Sequence, residues 1–384
     1  MLPYGRQEIS DADVAAVSRA LRAPFLTQGP GVAEFEDRLA ASVGARFAVA
    51  FNSGTAALHG AYAAAGIGPG KRVLTSPITF VATANAAVYL GGDVAFADVS
   101  PDTALLDPAA AARAGGGIAV IAPVHLTGEV ADLERLSRLA AERGWIVVED
   151  AAHALGATYR TRDGATHQVG ACRHSAMCCL SFHPVKHITT GEGGAVTTND
   201  ASLAHAMRRF RSHGITRDPA ELSRDEGPWY YEQVELGFNY RLTDIQCALG
   251  TSQLARLDDF VARRRAVAAR YDDALRGIEG VTPLARPEWS TGSFHLYVVQ
   301  VPGGARRAVF ESMRERGIGV NVHYIPVHRQ PYYQARGWSG PAELPNAERY
   351  YAGAITLPLF PAMTPADVTR VAAALAESLE GAPA

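Results

Sequence analysis

The run Ile118-Ala119-Val120-Ile121-Ala122-Pro123-Val124, followed by a helical stretch and then Trp145-Ile146-Val147-Val148-Glu149, decides the fold. Each apolar run has the length of one strand, and the segment between them has helical periodicity. Strands joined through a helix lie parallel, because the crossover carries the chain back to start the next strand in the same direction. The alternation extends upstream. Phe47 to Phe51 is a short apolar strand, Asn52-Ser53-Gly54 a turn and Thr55 to Ala65 a helix, with strands expected at Val73–Thr75 and Val94–Val99. Downstream lie the β-like run Ala176–Phe182, a strand at Ala195–Thr198 and a helix at Ala201–Arg211. The expected class is α/β, with a mostly parallel central sheet and helices on both faces.

The flanks differ from this centre. Ser10 and Asp11 are good N-cap residues for a helix carrying Val14, Val17 and Leu21. Pro24 to Gly31 breaks that helix, and Val32, Phe35 and Leu39 mark one face of the next. The polar stretch Asp218–Glu235, with Trp229, Tyr230 and Tyr231 inside it, reads as a flexible or interface loop. Leu242 to Arg276 reads as two long helices, and the triplet Arg263-Arg264-Arg265 as a solvated helix face. Beyond Gly280 the pattern changes to strand Phe294–Val301, helix Arg306–Gly317, strands Val320–Tyr324 and Ile355–Leu357, and helix Pro365–Leu379. This predicts a large unit over 1–255, with an N-terminal arm over 1–31, and a smaller C-terminal α+β unit over 256–384, divided within a long helix.

Of the 384 residues, 48% are hydrophobic and 20% charged, the balance of an ordinary globular protein. A net charge of -3 gives no electrostatic footprint for nucleic acid or for a membrane surface. No apolar run has the length of a bilayer span, and the first residues show no basic-then-apolar leader, so a cytoplasmic enzyme is expected. Cys172, Cys178, Cys179 and Cys247 make no C-x-x-C pair and read as small buried hydrophobes of a reducing compartment. Zinc-ligand spacing, a P-loop, G-x-S-x-G and G-x-G-x-x-G are all missing, and no metal site is expected.

Four clusters stand at expected strand ends, where open α/β sheets bind ligands. Asn52-Ser53-Gly54-Thr55 opens a helix; its free N–H groups and positive dipole end suit a phosphate, and a plain N-cap fits equally. Glu149-Asp150-Ala151-Ala152-His153 puts carboxylates after a buried strand, where a carboxylate needs a partner. A pyridinium nitrogen is one such partner; a cap or an ion pair is another. His153 alone reads as structural. Pro77-Ile78-Thr79-Phe80 offers an aromatic ring, for stacking on another ring or for the core. Lys186, in Ser181-Phe182-His183-Pro184-Val185-Lys186 before the turn Thr190-Gly191-Glu192-Gly193-Gly194, sits between an apolar run and a glycine-rich turn. A lysine sheltered there loses its proton readily and can act as nucleophile or base. Lys186, Asp150 and the Ser53–Thr55 turn together lead to the hypothesis that Lys186 forms a Schiff base with pyridoxal phosphate.

Taken together, these segments resemble the fold-type I pyridoxal phosphate enzymes, and among them the DegT-type sugar-nucleotide aminotransferases. The resemblance rests on L-T-Q-G at Leu26–Gly29, N-S-G-T-A-A-L at Asn52–Leu58, S-P-I-T-F-V-A-T-A-N at Ser76–Asn85 and E-D-A-A-H-A-L-G at Glu149–Gly156. It continues through S-F-H-P-V-K at Ser181–Lys186, G-E-G-G-A at Gly191–Ala195, R-S-H-G at Arg211–Gly214, G-F-N-Y-R-L-T-D-I-Q at Gly237–Gln246 and G-I-G-V-N-V-H-Y at Gly317–Tyr324.

The resemblance implies that Lys186 carries the cofactor and that Asp150 keeps its ring nitrogen protonated. It implies that His153 stands near the ring hydroxyl and that Phe80 stacks on the ring. Ser53, Gly54, Thr55 and Ser181 would bind the phosphate, with Asn239 of a second subunit, so that a homodimer shares its active sites. Substrate contacts would come from Tyr4, from Pro24, Phe25, Leu26 and Thr27, and from His183, Asn239, His323 and Tyr324. The wording around Lys186 and Leu26–Gly29 is most similar to the 4-aminotransferases of pseudaminic acid synthesis. The implied reaction takes an amino group from L-glutamate to a UDP-4-keto-6-deoxy-N-acetylhexosamine, leaving 2-oxoglutarate. The alternatives are another keto-sugar nucleotide or an aminocyclitol as acceptor, and a non-catalytic protein that binds the cofactor or a sugar nucleotide.

Overall fold

The computed structural model describes residues 1–338 and 343–381; positions 339–342 and the last three residues of the expected C-terminal unit lie outside them. The central alternation builds a seven-stranded sheet, numbered here in chain order. Its strands are β1 (Phe47–Phe51), β2 (Arg72–Thr75), β3 (Asp93–Phe96), β4 (Ile118–Ala122), β5 (Ile146–Asp150), β6 (Met177–Ser181) and β7 (Gly194–Thr198). They lie in the order β1-β7-β6-β5-β4-β2-β3. β2 pairs in parallel with β3 and β4, β4 with β5, and β5 with β6. β7 is antiparallel to both β6 and β1, so it alone runs against the other six. The cause is local: residues 182–193 connect β6 to β7 without a helix, and a strand that returns without a crossover pairs antiparallel. That helix-free connection carries Lys186.

Period-two alternation sends successive side chains to two cores. Ala48 and Ala50 of β1 and Cys178 and Leu180 of β6 pack with Phe35, Leu39 and Phe260 on one face. Val49, Phe51, Met177 and Cys179 face Leu58, Tyr62 and Met207 on the other. Helices thus cover both sides, as expected, and the four cysteines are free and buried.

A smaller antiparallel sheet holds Tyr297–Gln300 between Thr282–Pro283 and Ala354–Leu357. Val299 and Ile355 pack there with Val309 and Met313 of helix Arg306–Glu315, Leu375 of helix Pro365–Glu380, and Val267 and Tyr271. The strand expected at Val320–Tyr324 does not form a ladder; it is reduced to one bridge between Asn321 and Thr356. The Asn321 side chain accepts the Val322 N–H at 2.8 Å, which takes that group from strand pairing. The N-terminal arm is stitched onto this region by Leu2 N–H to Gly317 O at 2.9 Å and Leu359 N–H to Tyr4 O at 3.0 Å.

The two helices expected over Leu242–Arg276 are Asp244–Leu254 and Leu257–Ala274, separated by a break at Ala255–Arg256. The expected solvated triplet also splits. Arg263 is paired with Glu8 and Asp259, and Arg265 donates to Gly292 O at 2.9 Å. Arg264, however, is only 1% exposed. Consecutive helical residues point about 100° apart, so three in a row cannot share one face. Among the described residues no helix is long and apolar enough to cross a membrane.

Candidate active site

The C-terminal ends of β5 and β6, the turn after β1 and the loop His323–Gln330 enclose a cavity of about 670 Å³. It brings together Tyr4, Ser53, Gly54, Thr55, Phe80, Asp150, His153, Ser181, His183, Lys186, His323 and Tyr324 from the sequence expectations.

The turn after β1 opens a helix at the edge of the cavity. Ser53 caps helix Gly54–Ala64, its Oγ accepting the Ala56 N–H at 3.1 Å. The N–H groups of Gly54 and Thr55, first in the helix, have no carbonyl one turn back to bond and open toward the cavity. The cap reading of this turn is met by Ser53. A Cβ on Gly54 would lie 3.0 Å from Ser181 Cβ, and one on Gly194 would lie 2.6 Å from Ser53 O and 2.7 Å from Gly54 N. Glycine at Gly194 is what lets β7 run this close to the turn.

Asp150 ends β5 and is 5% exposed. Thr83 Oγ1 donates to its Oδ2 at 2.6 Å and the Ala152 N–H to its Oδ1 at 3.2 Å. Thr79 stands 2.7 Å behind Thr83, so the carboxylate is held by a short hydroxyl chain. Among the described residues, no arginine or lysine besides Lys186 lines the cavity around it.

Lys186 follows β6 in a turn closed by its N–H to His183 O at 2.9 Å. Phe182, fully buried edge-on against Phe35, anchors the start of that loop. Lys186 Nζ lies 3.2 Å from His295 Nε2. Burial pushes the ammonium down to about 7; Asp150 opposes the shift and Arg264 adds to it. The amine is thus close to half neutral at neutral pH.

The opposite wall is made of rings. His153 Nε2 is 2.9 Å from Tyr324 Oη, and its ring centre is 4.5 Å from that of His295. His323 Nδ1 meets Thr356 Oγ1 at 2.9 Å. Burial, with Lys186 nearby, holds His153 and His295 well below the ordinary histidine value and brings His323 down to about 3. All three are neutral. Nδ1 of His153 and of His295 is buried without a hydrogen-bond partner among the described residues. Phe80, 57% exposed, stands at the mouth near Tyr324 and is no core residue.

Two expected groups are not brought to this cavity by one chain. Pro24, Phe25, Leu26 and Thr27 are exposed on a loop pinned by Thr27 to Thr243 and by Leu26 O to the Asp244 N–H at 3.0 Å. Asn239 is also exposed, and its carbonyl faces Asn52 Nδ2 at 3.5 Å. Conversely, His295, Thr83, Glu192, Asn321 and Gln330 line the cavity without having been singled out. Thr83 lay inside the quoted Ser76–Asn85 segment. His295 gave no local signal, since it precedes a strand 109 residues from Lys186.

Residues 7–376 match the DegT/DnrJ/EryC1/StrS aminotransferase family model. The chain belongs to that family. It is 38% identical to the Bacillus subtilis (strain 168) spore coat polysaccharide biosynthesis protein SpsC, over 99% of this chain and 98% of that one. Among solved structures it is similar to the PMP form of the putative sugar aminotransferase Spr1654 from Streptococcus pneumoniae, at TM-score 0.91 and 28% identity over 99% of both chains. It is also similar to Helicobacter pylori PseC, an aminotransferase involved in the biosynthesis of pseudoaminic acid, at TM-score 0.90 and 30% identity over 99% of both. The fold is therefore that of a fold-type I aminotransferase.

Family membership makes pyridoxal 5′-phosphate the cofactor. The residues fit it. The glycine-bounded turn offers free N–H groups to a phosphate, the buried Asp150 carboxylate has no cation but Lys186 among the described lining residues, and that low-pKa amine lines the same cavity.

Proposed function

We propose that this aminotransferase moves an amino group from L-glutamate to the 4-keto carbon of a UDP-4-keto-6-deoxy-N-acetylhexosamine, releasing 2-oxoglutarate. The observation that carries the reading is Lys186, an enclosed amine near neutrality in one cavity with Asp150 and the Ser53–Thr55 turn. The sugar acceptor is supported by the wording around Lys186 and by the likeness to PseC.

Bound pyridoxal phosphate supplies the carbonyl that carries the amino group and a ring that accepts electrons. The N–H groups of Gly54 and Thr55, with the hydroxyls of Ser53 and Ser181, hold its phosphate. Asp150, fixed by Thr83, holds a proton at the ring nitrogen. Lys186 Nζ takes the proton from the α-carbon of the amino donor, and in the second half-reaction delivers one to C4 of the sugar. A base so placed is worth roughly 10²–10⁴ in rate. Phe80 covers the ring from the mouth. The His153–Tyr324 pair closes the opposite wall against water, and Tyr4, His183 and His323 line the acceptor side.

The loop Pro24–Thr27 and Asn239 reach the site from a second copy of the chain in this reading. Phe25, Leu26, Phe80, Tyr89, Trp229 and Leu236 are exposed apolar side chains that such a copy would cover. The protein is then a homodimer, which we assign to the cytoplasm and divide at 255/256 into its larger and smaller units. The likeness to SpsC favours, as second reading, the same transfer to a different keto-sugar nucleotide.

The test is product analysis with L-glutamate and a panel of keto-sugar nucleotides. A 4-amino sugar from the UDP-4-keto-6-deoxy-L-hexosamine is expected. Turnover of other acceptors alone selects the second reading, and a protein that stays colourless with added cofactor is a binder only.

A further inference from the structure

One guanidinium spans the two backbone segments that meet at the lysine. Arg264 lies on helix Leu257–Ala274. Its Nη2 donates to the carbonyls of Val185 at 3.4 Å and Lys186 at 3.2 Å. Its Nη1 donates to the carbonyls of Phe294 at 3.2 Å, His295 at 3.4 Å and Leu359 at 3.2 Å. Burial brings this arginine down to about 10, and no carboxylate among the described residues offsets the loss. A buried cation without a counter-charge is costly, so its five carbonyl partners must offset the desolvation.

We propose that Arg264 is the positioning residue of the Lys186–His295 pair: its fork fixes the backbone of both partners, and its charge disfavours a second cation on Lys186. Planarity is essential to the first task, because five carbonyls from three segments converge on one rigid donor set. The second task follows from position. The groups facing Lys186 are Asp150 at the end of β5, His153 in the turn after it, His183 and His187 on the same loop, His295 ahead of the smaller sheet and His323 beside it. The histidines are neutral or held below their ordinary value, so Arg264 is the fixed positive charge that adds to burial against the pull of Asp150 on the ammonium. The proposal rests on reading Lys186 as the cofactor lysine.

The experiment uses the full chain stripped of cofactor. Lys186 is labelled with pulses of acetic anhydride across pH and quantified by peptide mass spectrometry, with melting curves to confirm folding. Wild-type Lys186 should titrate near about 7. In Arg264→Met the midpoint should rise measurably, because a nearby like charge has gone. That variant strands five carbonyls, so Arg264→Lys is its partner: it keeps the cation and loses the fork. It should keep a midpoint near wild type, while kcat of the reloaded enzyme falls about 10-fold or more with KM little changed. A folded Arg264→Met with the wild-type midpoint overturns the charge role, and Arg264→Lys with wild-type kcat overturns the positioning role. Wild-type Lys186 titrating as an ordinary lysine, with no colour on adding pyridoxal phosphate, overturns the functional reading beneath both.

Discussion

The two walls of the cavity are chemically opposite. The wall built from the ends of β1, β5 and β6 presents helix N–H groups, a carboxylate and an amine. The wall built around His295, His323 and Tyr324 presents rings that burial keeps uncharged. The first wall can bind and polarise an anionic cofactor. The second cannot, and its effect is to exclude water, so that the amine on the first wall is driven toward neutrality. Polar groups supply the binding and apolar enclosure supplies the reactivity. Neither wall suffices alone.

Removing the amine should break the first wall outright. Lys186→Ala is expected to lower steady-state transamination by about 10⁴-fold or more, since nucleophile and base are lost together; measurable turnover near wild type would refute its role. Asp150→Asn keeps the shape and the Thr83 hydroxyl but removes the charge. A loss of roughly 10²–10³-fold in kcat is expected, with cofactor still visible by absorbance.

The second wall is sharpened by pH. A lysine depressed to about 7 gains its proton as pH falls through that value, and a protonated amine is no base. The half-reaction in which Lys186 is free should therefore slow by about tenfold per unit below the midpoint. A rate that stays flat down to about pH 5 would show that Lys186 is not the group limiting this step.

Gly194→Ala tests how closely β7 approaches the phosphate turn. Its Cβ would meet Ser53 O at 2.6 Å, and overpacking of this kind costs about 1–3 kcal/mol in thermal or denaturant unfolding. Weaker cofactor retention should accompany it. The smallest effect is expected for Tyr324→Phe, which deletes the hydroxyl 2.9 Å from His153 Nε2. One neutral hydrogen bond is worth about 3–10-fold in rate, to be read in kcat with the pH midpoint unchanged.

The first wall was legible because its residues are local. Asp150 ends an apolar run, Ser53–Thr55 opens a helix, and Lys186 follows a strand before glycines. In an open α/β sheet such ends gather at one edge without further information. The helix cover and the mostly parallel sheet followed from the same alternation. The reversed strand β7 was less visible, since only the lack of a helix in 182–193 betrays it. The expected strand at Val320–Tyr324 failed because the Asn321 side chain competes for a backbone N–H.

By itself, then, the sequence determined the sheet, its helices and which lysine, carboxylate and turn stand at its ligand edge, because these follow from periodicity and end chemistry within short windows. Tertiary structure decided the rest. It set His295 3.2 Å from Lys186 across 109 residues and buried Arg264 between two half-buried arginines. It also closed the neutral wall that brings the lysine to about 7. Desolvation depends on every group packed around an atom, and those groups come from distant parts of the chain.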